Sequence, residues 1–210
     1  MSPVKTAAPA RQSRSRAATR SRFRRRRWLA VAAAAVLGGV VAIGITQIDF
    51  EKAILEITLP LRHDDVIRQQ AADKDLDAAL IAAVIYEESK FRDNQKSSAG
   101  AIGLMQVQPR TALDIAKHSG ATTFVVRDLR DPEINIRYGS FYLRELFDRY
   151  DGNEVAALAA YHAGPANADR WGGSDLALDE IGFPETRVYV EDVLDKRRQY
   201  GDNYADDLGL

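Results

Sequence analysis

Cysteine is absent from the 210 residues, so no disulfide holds the fold and thiol chemistry is excluded. A hydrophobic core must do that work, although the lack of cysteine assigns no compartment. Histidine is scarce. His63, His118 and His162 lie far apart, without metal-ligand spacing, and a surface or hydrogen-bonded role is expected for each. No glycine-rich phosphate loop of the P-loop or dinucleotide type occurs, so neither a metal nor a cofactor is expected. Asp73, Asp75 and Asp77 imitate the start of a calcium loop. Ala78 stands where that loop needs glycine and Val84 where it needs glutamate, so helix capping is their expected role.

Acidic residues are missing from one end. Residues 1–48 hold ten basic side chains, Lys5 and nine arginines, and no acid. The overall charge is −1, so residues 49–210 carry −11. A chain divided this way does not present one surface to one environment. The arginines end in a run at 24–27, and an uncharged apolar stretch follows. A helix over 29–48 would be about 30 Å long, matching the hydrocarbon core of a bilayer. Arginines before it and Asp49 and Glu51 after it place the amino terminus in the cytoplasm. The expectation is a basic cytoplasmic tail over 1–28 and a single-pass transmembrane anchor over 29–48 in the cell membrane, with the rest on the extracytoplasmic side. A cleaved signal peptide competes, but the apolar run is long and Ala42-Ile43-Gly44 is a poor cleavage site. A twin-arginine signal competes too, though four consecutive arginines supply such pairs by chance. The apolar span directly after the arginines argues against a nucleic-acid-binding arm.

Residues 49–63 read as a connector ending near Pro60. From Asp64 the pattern is helical. Leu80, Ile81, Val84, Ile85, Glu88 and Phe91 share one face of a helix that Asp75 or Asp77 can cap. Residues 96–103 are a loop rich in small residues. Pro109 opens a helix to about His118, closed by Gly120. Residues 122–126 are β-branched and suit a short strand or an irregular turn. Asp131-Pro132 opens a long helix through Tyr150, with Ile134, Tyr138, Phe141, Tyr142 and Phe147 expected on its buried stripe. Residues 153–163 form a small-residue helix and 185–200 a last one, before a polar tail over 201–210. The class is mainly α, with at most a minor β element.

Glu88 stands out as a candidate for chemistry. Apolar neighbours at helical spacing desolvate its charged form and raise its pKa. A rise of about two units costs about 2.7 kcal/mol and leaves a useful protonated fraction near neutrality, as a general acid requires. Periodicity alone leaves Glu87 an equal candidate, and most helix glutamates are simply solvated.

Three separated motifs decide between them. Glu88-Ser89 is followed by Ser97-x-x-Gly100-Ala101-x-Gly103-Leu104-Met105-Gln106, then Pro109 and Thr111-Ala112. Ala160-Tyr161-His162-Ala163-Gly164-Pro165 comes next, and Ile181-x-Phe183-x-Glu185-Thr186-Arg187-x-Tyr189-Val190 last. In that order they resemble the catalytic domain of soluble-type lytic transglycosylases, over roughly residues 64–200. The resemblance implies a lysozyme-like fold, preceded here by the one transmembrane helix, with a substrate groove across it. It also implies that Glu88 is the family's single catalytic carboxyl. Gly103, Leu104, Met105 and Gln106 would line the groove, Tyr161 would stand beside the carboxyl, and Ser97, Glu185 and Tyr189 would be further substrate-binding positions. Two departures are His162, where the motif usually has asparagine, and Ala166, where it usually has glycine.

The implied substrate is the glycan strand of peptidoglycan. Glu88 would protonate the oxygen between N-acetylmuramic acid and N-acetylglucosamine, then take the proton of the muramoyl 6-hydroxyl as that oxygen attacks its own anomeric carbon. The product would be a 1,6-anhydro sugar. The sequence agrees in one respect: no acidic residue lies between Asp93 and Asp114, so the loop after the helix offers no second carboxylate to activate water. A lysozyme-type hydrolase, a non-catalytic glycan-binding envelope module and a structural membrane protein that spaces partners are the alternatives. Implied partners are peptidoglycan, the membrane through the amino-terminal helix, and cell-wall synthesis or secretion proteins; nucleic acid is not among them.

Overall fold

Ala33 and residues 50–210 are the part of the chain described by the computed structural model. The expected tail over 1–28 and anchor over 29–48, Ala33 apart, lie outside these residues. Among the described residues no helix is long and apolar enough to cross a membrane. The chain divides into two units, 1–54 and 55–210. Of the first, Ala33 and residues 50–54 are described and are helical. The second carries the core.

Part of the expected connector is helical, as α1 (Phe50–Thr58). α2 (Asp64–Lys74) and α3 (Ala78–Ser89) follow. Of the two candidate caps, Asp77 starts α3: its carboxylate accepts from the Ala79 N–H at 2.8 Å. Its other oxygen binds Arg197 at 2.5 Å, and the same guanidinium holds Glu154 at 2.7 Å. Asp77 thus caps the helix and, through Arg197, ties it to two others. All of residues 78–85 are buried, so α3 is apolar around its circumference rather than on one face, as a central helix must be. It ends sooner than its hydrophobic pattern suggests. Lys90 and Phe91 both adopt left-handed backbone (φ 53° and 57°), and Phe91 enters the core from the turn, not from the helix face.

α4 (Pro109–Ser119) has proline in its first turn and Gly120 at φ 71° as its C-cap, the geometry glycine adopts without steric cost. Residues 122 and 123 are an irregular turn, followed by a 3₁₀ turn, Val126–Arg130. No strand forms over 122–126: Phe124 turns inward to stack on Tyr138, ring centres 4.5 Å apart. The only β pairing among the described residues is the pair of isolated bridges Lys96–Ile102 and Ile102–Val107.

α5 (Pro132–Arg149) is capped by Asp131. Its buried residues are Asn135, Ile136, Tyr138, Gly139, Ser140, Leu143 and Leu146. Only Tyr138 of the expected stripe is among them; Ile134, Phe141, Tyr142 and Phe147 are half-buried. These four pack against the core at the flank of the most buried face, whose centre contains asparagine, glycine and serine, which a hydrophobic count passes over. α6 (Glu154–Ala163), capped by Asn153, is followed by a short α7 (Pro165–Trp171) that the sequence did not suggest. α8 (Pro184–Leu208) packs along α3 and also touches α6. It runs through most of the expected polar tail. Two tyrosines tie it down, Tyr200 donating to the Pro60 carbonyl (2.7 Å) and Tyr204 to that of Leu59 (2.8 Å), and Leu208 is buried.

Candidate active site

Glu88 lies in the last turn of α3, next to the left-handed stop. Its Oε1 accepts from the Tyr189 hydroxyl at 2.9 Å, a contact between α3 and α8. Burial pushes the carboxyl up from its ordinary 4.5 to about 7; the Tyr189 hydrogen bond pulls the other way, and the charge of Glu87 adds to the rise. Unpaired carbonyls at the C-terminal end of a helix also disfavour negative charge. Glu87 is placed differently: its carboxylate is paired with Lys90 at 2.9 Å. The structure thus separates two neighbours that periodicity left equal. Ser89 is buried, its hydroxyl donating back to the Ile85 carbonyl at 3.1 Å.

The facing loop is built around one side chain. Asn135 of α5 accepts from the Met105 N–H (2.8 Å) and donates to the carbonyls of Ile102 and Leu129 (both 2.8 Å). This is nearly the full capacity of an amide. A side chain on Gly103 would collide with it, because a Cβ there would lie 2.2 Å from the Asn135 amide nitrogen, at φ +81°. Gly139 of α5 is needed for the same reason, since Met105 Sδ would be 2.4 Å from a Cβ. The loop therefore presses on α5 at backbone distance. Leu104 and Met105 are completely buried. Neither residue presents a surface here, and the Met105 N–H and carbonyl are already held by Asn135 and Tyr161. Gln106, at φ 47°, turns its amide back to the carbonyls of Gly103 (2.8 Å) and Gln95 (3.3 Å). A cleft of about 220 Å³ borders this loop, lined by Asn94, Gln95, Lys96, Ile102 and Arg130.

Tyr161 of α6 donates to the Met105 carbonyl at 2.7 Å, and its ring lies 5.5 Å from that of Tyr142. Burial first, and the Glu88 charge second, push the hydroxyls of both Tyr161 and Tyr189 well above their ordinary range. Both phenols therefore keep their protons and remain donors. The structure brings together Glu88, Tyr189, Tyr161 and the Met105 backbone. It makes Tyr189, not Tyr161, the hydrogen-bond partner of the carboxyl. Ser97 shapes its own loop, its hydroxyl accepting from the Ala101 N–H at 3.0 Å. Glu185 is exposed in the first turn of α8, near His162. The histidines have separate partners: His63 meets Asp93 (3.2 Å), His118 meets Glu145 (3.8 Å) and His162 meets Thr186 (3.0 Å).

Sequence reading missed Asn135 and Thr186 as site residues. The available signal for Asn135 was an amide between two isoleucines on an amphipathic helix. A polar residue in such a place needs a buried partner.

Residues 65–182 match the transglycosylase SLT domain family. A soluble lytic murein transglycosylase of Salmonella typhimurium is 33% identical over 153 residues, covering 67% of this chain and 23% of that protein. A membrane-bound lytic murein transglycosylase C of Histophilus somni is 34% identical over 143 residues, covering 63% of this chain and 38% of the other. Among solved structures, an inactive glutamate-to-glutamine mutant of the lytic transglycosylase Slt from Pseudomonas aeruginosa superposes with a TM-score of 0.66 at 34% identity, over 70% of this chain and 25% of that one. A 70-kDa soluble lytic transglycosylase in complex with bulgecin A gives 0.65 at 31% identity, over 71% and 26%. The chain spans about a quarter of the length of the soluble relatives it matches.

Proposed function

The chain belongs to the transglycosylase SLT domain family, and from that premise we propose that it cleaves peptidoglycan glycan strands as a lytic transglycosylase, with Glu88 as acid and then base. The observation that carries this reading is one carboxyl, held by a tyrosine and desolvated until it titrates at about 7. Near neutral pH about half of it is protonated. The protonated form gives its proton to the glycosidic oxygen as that bond breaks. The resulting carboxylate is stabilised by the Tyr189 hydroxyl until it takes the proton of the muramoyl 6-hydroxyl, whose oxygen closes on the anomeric carbon. An attack within one sugar has a high effective molarity and requires no second carboxylate. Glu87, the acidic neighbour whose charge acts on Glu88, is occupied by Lys90. In this reading the loop over 103–106 walls the groove, with Gln106 as its part-exposed residue, and Ser97, Tyr161 and Glu185 border it. A relative inactivated by a single glutamate-to-glutamine change fits a chemistry carried by one glutamate.

Purified peptidoglycan treated with the chain should release muropeptides ending in 1,6-anhydro-N-acetylmuramic acid, each lighter by one water than a hydrolysed end. Mass spectrometry of fresh digests decides it. Predominantly reducing muramic ends would replace this reading with a lysozyme-type hydrolase. The rate should also have a basic limb. The first step needs protonated Glu88, so kcat/KM should fall about tenfold per pH unit above roughly pH 7. A rate still flat at pH 9 would remove Glu88 from the acid role.

Residues 29–48 are proposed as a membrane span that leaves the catalytic domain outside the cytoplasm. Twenty residues without a charge follow ten basic side chains, and membrane-bound relatives exist. Intact mass of protein extracted from membranes should include this segment. A mature chain beginning near Ile45 would make the protein a secreted one.

A further inference from the structure

We infer that His162 is a positioning residue for Glu88, acting through the ring of Tyr189; the inference rests on the reading of Glu88 as the acid. The imidazole of His162, on α6, lies against the Tyr189 phenol with ring centres 4.4 Å apart and planes 26° from parallel. Its Nδ1 is 3.0 Å from the hydroxyl of Thr186, which is buried. Thr186 and Tyr189 are three residues apart on α8 and so share a face. One side chain from α6 therefore grips α8 at two points, and the second is the ring whose hydroxyl donates to Glu88 at 2.9 Å.

The consequence follows from what that hydroxyl does. It is the main group opposing the burial of the Glu88 charge, and it must stay in place while the carboxylate exists, between proton donation and proton recovery. A tyrosine held only by its own backbone can swing about χ1 and withdraw its oxygen. A ring stacked on one face loses that freedom. A side chain without a ring can still hydrogen-bond Thr186, but it leaves the phenol face uncovered. The charged and titratable groups around the cluster are Glu87 and Glu88 from α3, Tyr142 from α5, Tyr161 and His162 from α6, and Glu185 and Tyr189 from α8. Burial holds His162 below its ordinary value, with Glu185 pulling the other way, so the stacking partner is the neutral imidazole near neutral pH.

The test is the titration of the Glu88 carboxyl carbon by NMR in the full chain, alongside the pH profile of muropeptide release. In the unaltered protein the midpoint should be near 7. In His162→Ala and His162→Asn it should rise by about half to one pH unit, the worth of a weakened hydrogen bond to a charged group. The basic limb of activity should move with it. His162→Phe keeps a ring on the phenol and should leave the midpoint unchanged. In a Tyr189→Phe background, which has no hydroxyl to position, His162→Ala should add nothing. An unmoved midpoint in His162→Ala, or an equal shift with and without the Tyr189 hydroxyl, overturns the inference. If the midpoints behave as stated but no anhydro ends form, the inference about His162 holds and the proposed reaction fails.

Discussion

Glu88→Gln is expected to lower glycan cleavage by about a thousandfold or more, the scale on which a general acid contributes, while making the folded domain more stable above pH 7. The amide is nearly isosteric with the carboxyl and can still accept from Tyr189, but it has no acidic proton to give. The gain in stability has a definite sign. The native carboxyl titrates at about 7, against 4.5 when unperturbed. Between those values the unfolded chain has already released a proton that the folded chain retains. Stability therefore falls as pH rises from about 4.5 to about 7, by up to about 3 kcal/mol, and stays low above that. Glutamine has no such window. Its thermal midpoint should match the parent at pH 4 and exceed it by several degrees at pH 8. Glu87→Gln, which removes the partner of Lys90 and only a minor contribution to the rise of Glu88, should keep most of the activity. Exchanged results for the two variants would put the chemistry on Glu87, and equal stability curves would show that Glu88 is solvated.

Asn135→Ala should be the most damaging single change outside the reacting carboxyl. The amide satisfies one N–H and two carbonyls, those of Met105, Ile102 and Leu129. Its removal strands the Met105 N–H and the Leu129 carbonyl, while the Ile102 carbonyl keeps the Val107 N–H at 3.0 Å. Each unmet buried backbone group costs about 1–3 kcal/mol, with some relief as the loop relaxes, so a loss of about 3–5 kcal/mol is expected. The loop that moves also carries the Met105 carbonyl to which Tyr161 donates, so cleavage should fall about tenfold in the fraction that remains folded. Asn135→Asp keeps the acceptor, forfeits both donations and adds a buried charge, and should be no better. A urea unfolding free energy within about 1 kcal/mol of the parent in Asn135→Ala would show that water replaces the amide and that the loop is held from elsewhere.

The helical class and the positions of α4, α5 and α6 were legible because their ends carry local signals. Asp131-Pro132, Asn153 and Gly120 act within one turn of themselves. The ends of α3 and α8 were not legible. α3 stops where Lys90 and Phe91 turn left-handed and the Phe91 ring packs into the core, 6.1 Å from that of Tyr200. α8 continues because Tyr200 and Tyr204 reach carbonyls about 140 residues earlier in the chain. Neither cause is within one turn of its effect. The same divide separates the two kinds of site residue. Glu88 was singled out by residue type, apolar spacing and motif order. Asn135 belongs to no motif, and its role exists only because the loop over 102–105 folds back onto it.

The sequence by itself determined that the chain is mainly helical, that it has no thiol and no histidine cluster, that its charge changes sharply near residue 49, and that one of two adjacent glutamates sits among apolar neighbours within an ordered set of motifs. Tertiary structure alone decided which groups meet: Tyr189 rather than Tyr161 on the carboxyl, His162 against Tyr189, Lys90 on Glu87, and the side chains of Leu104 and Met105 turned away from any ligand. The physical reason is range. Capping, periodicity and hydrophobic spacing act over a few residues and leave their mark in the local string. The Tyr189–Glu88 bond joins positions 101 residues apart, and whether it forms depends on how α3 and α8 pack along their length.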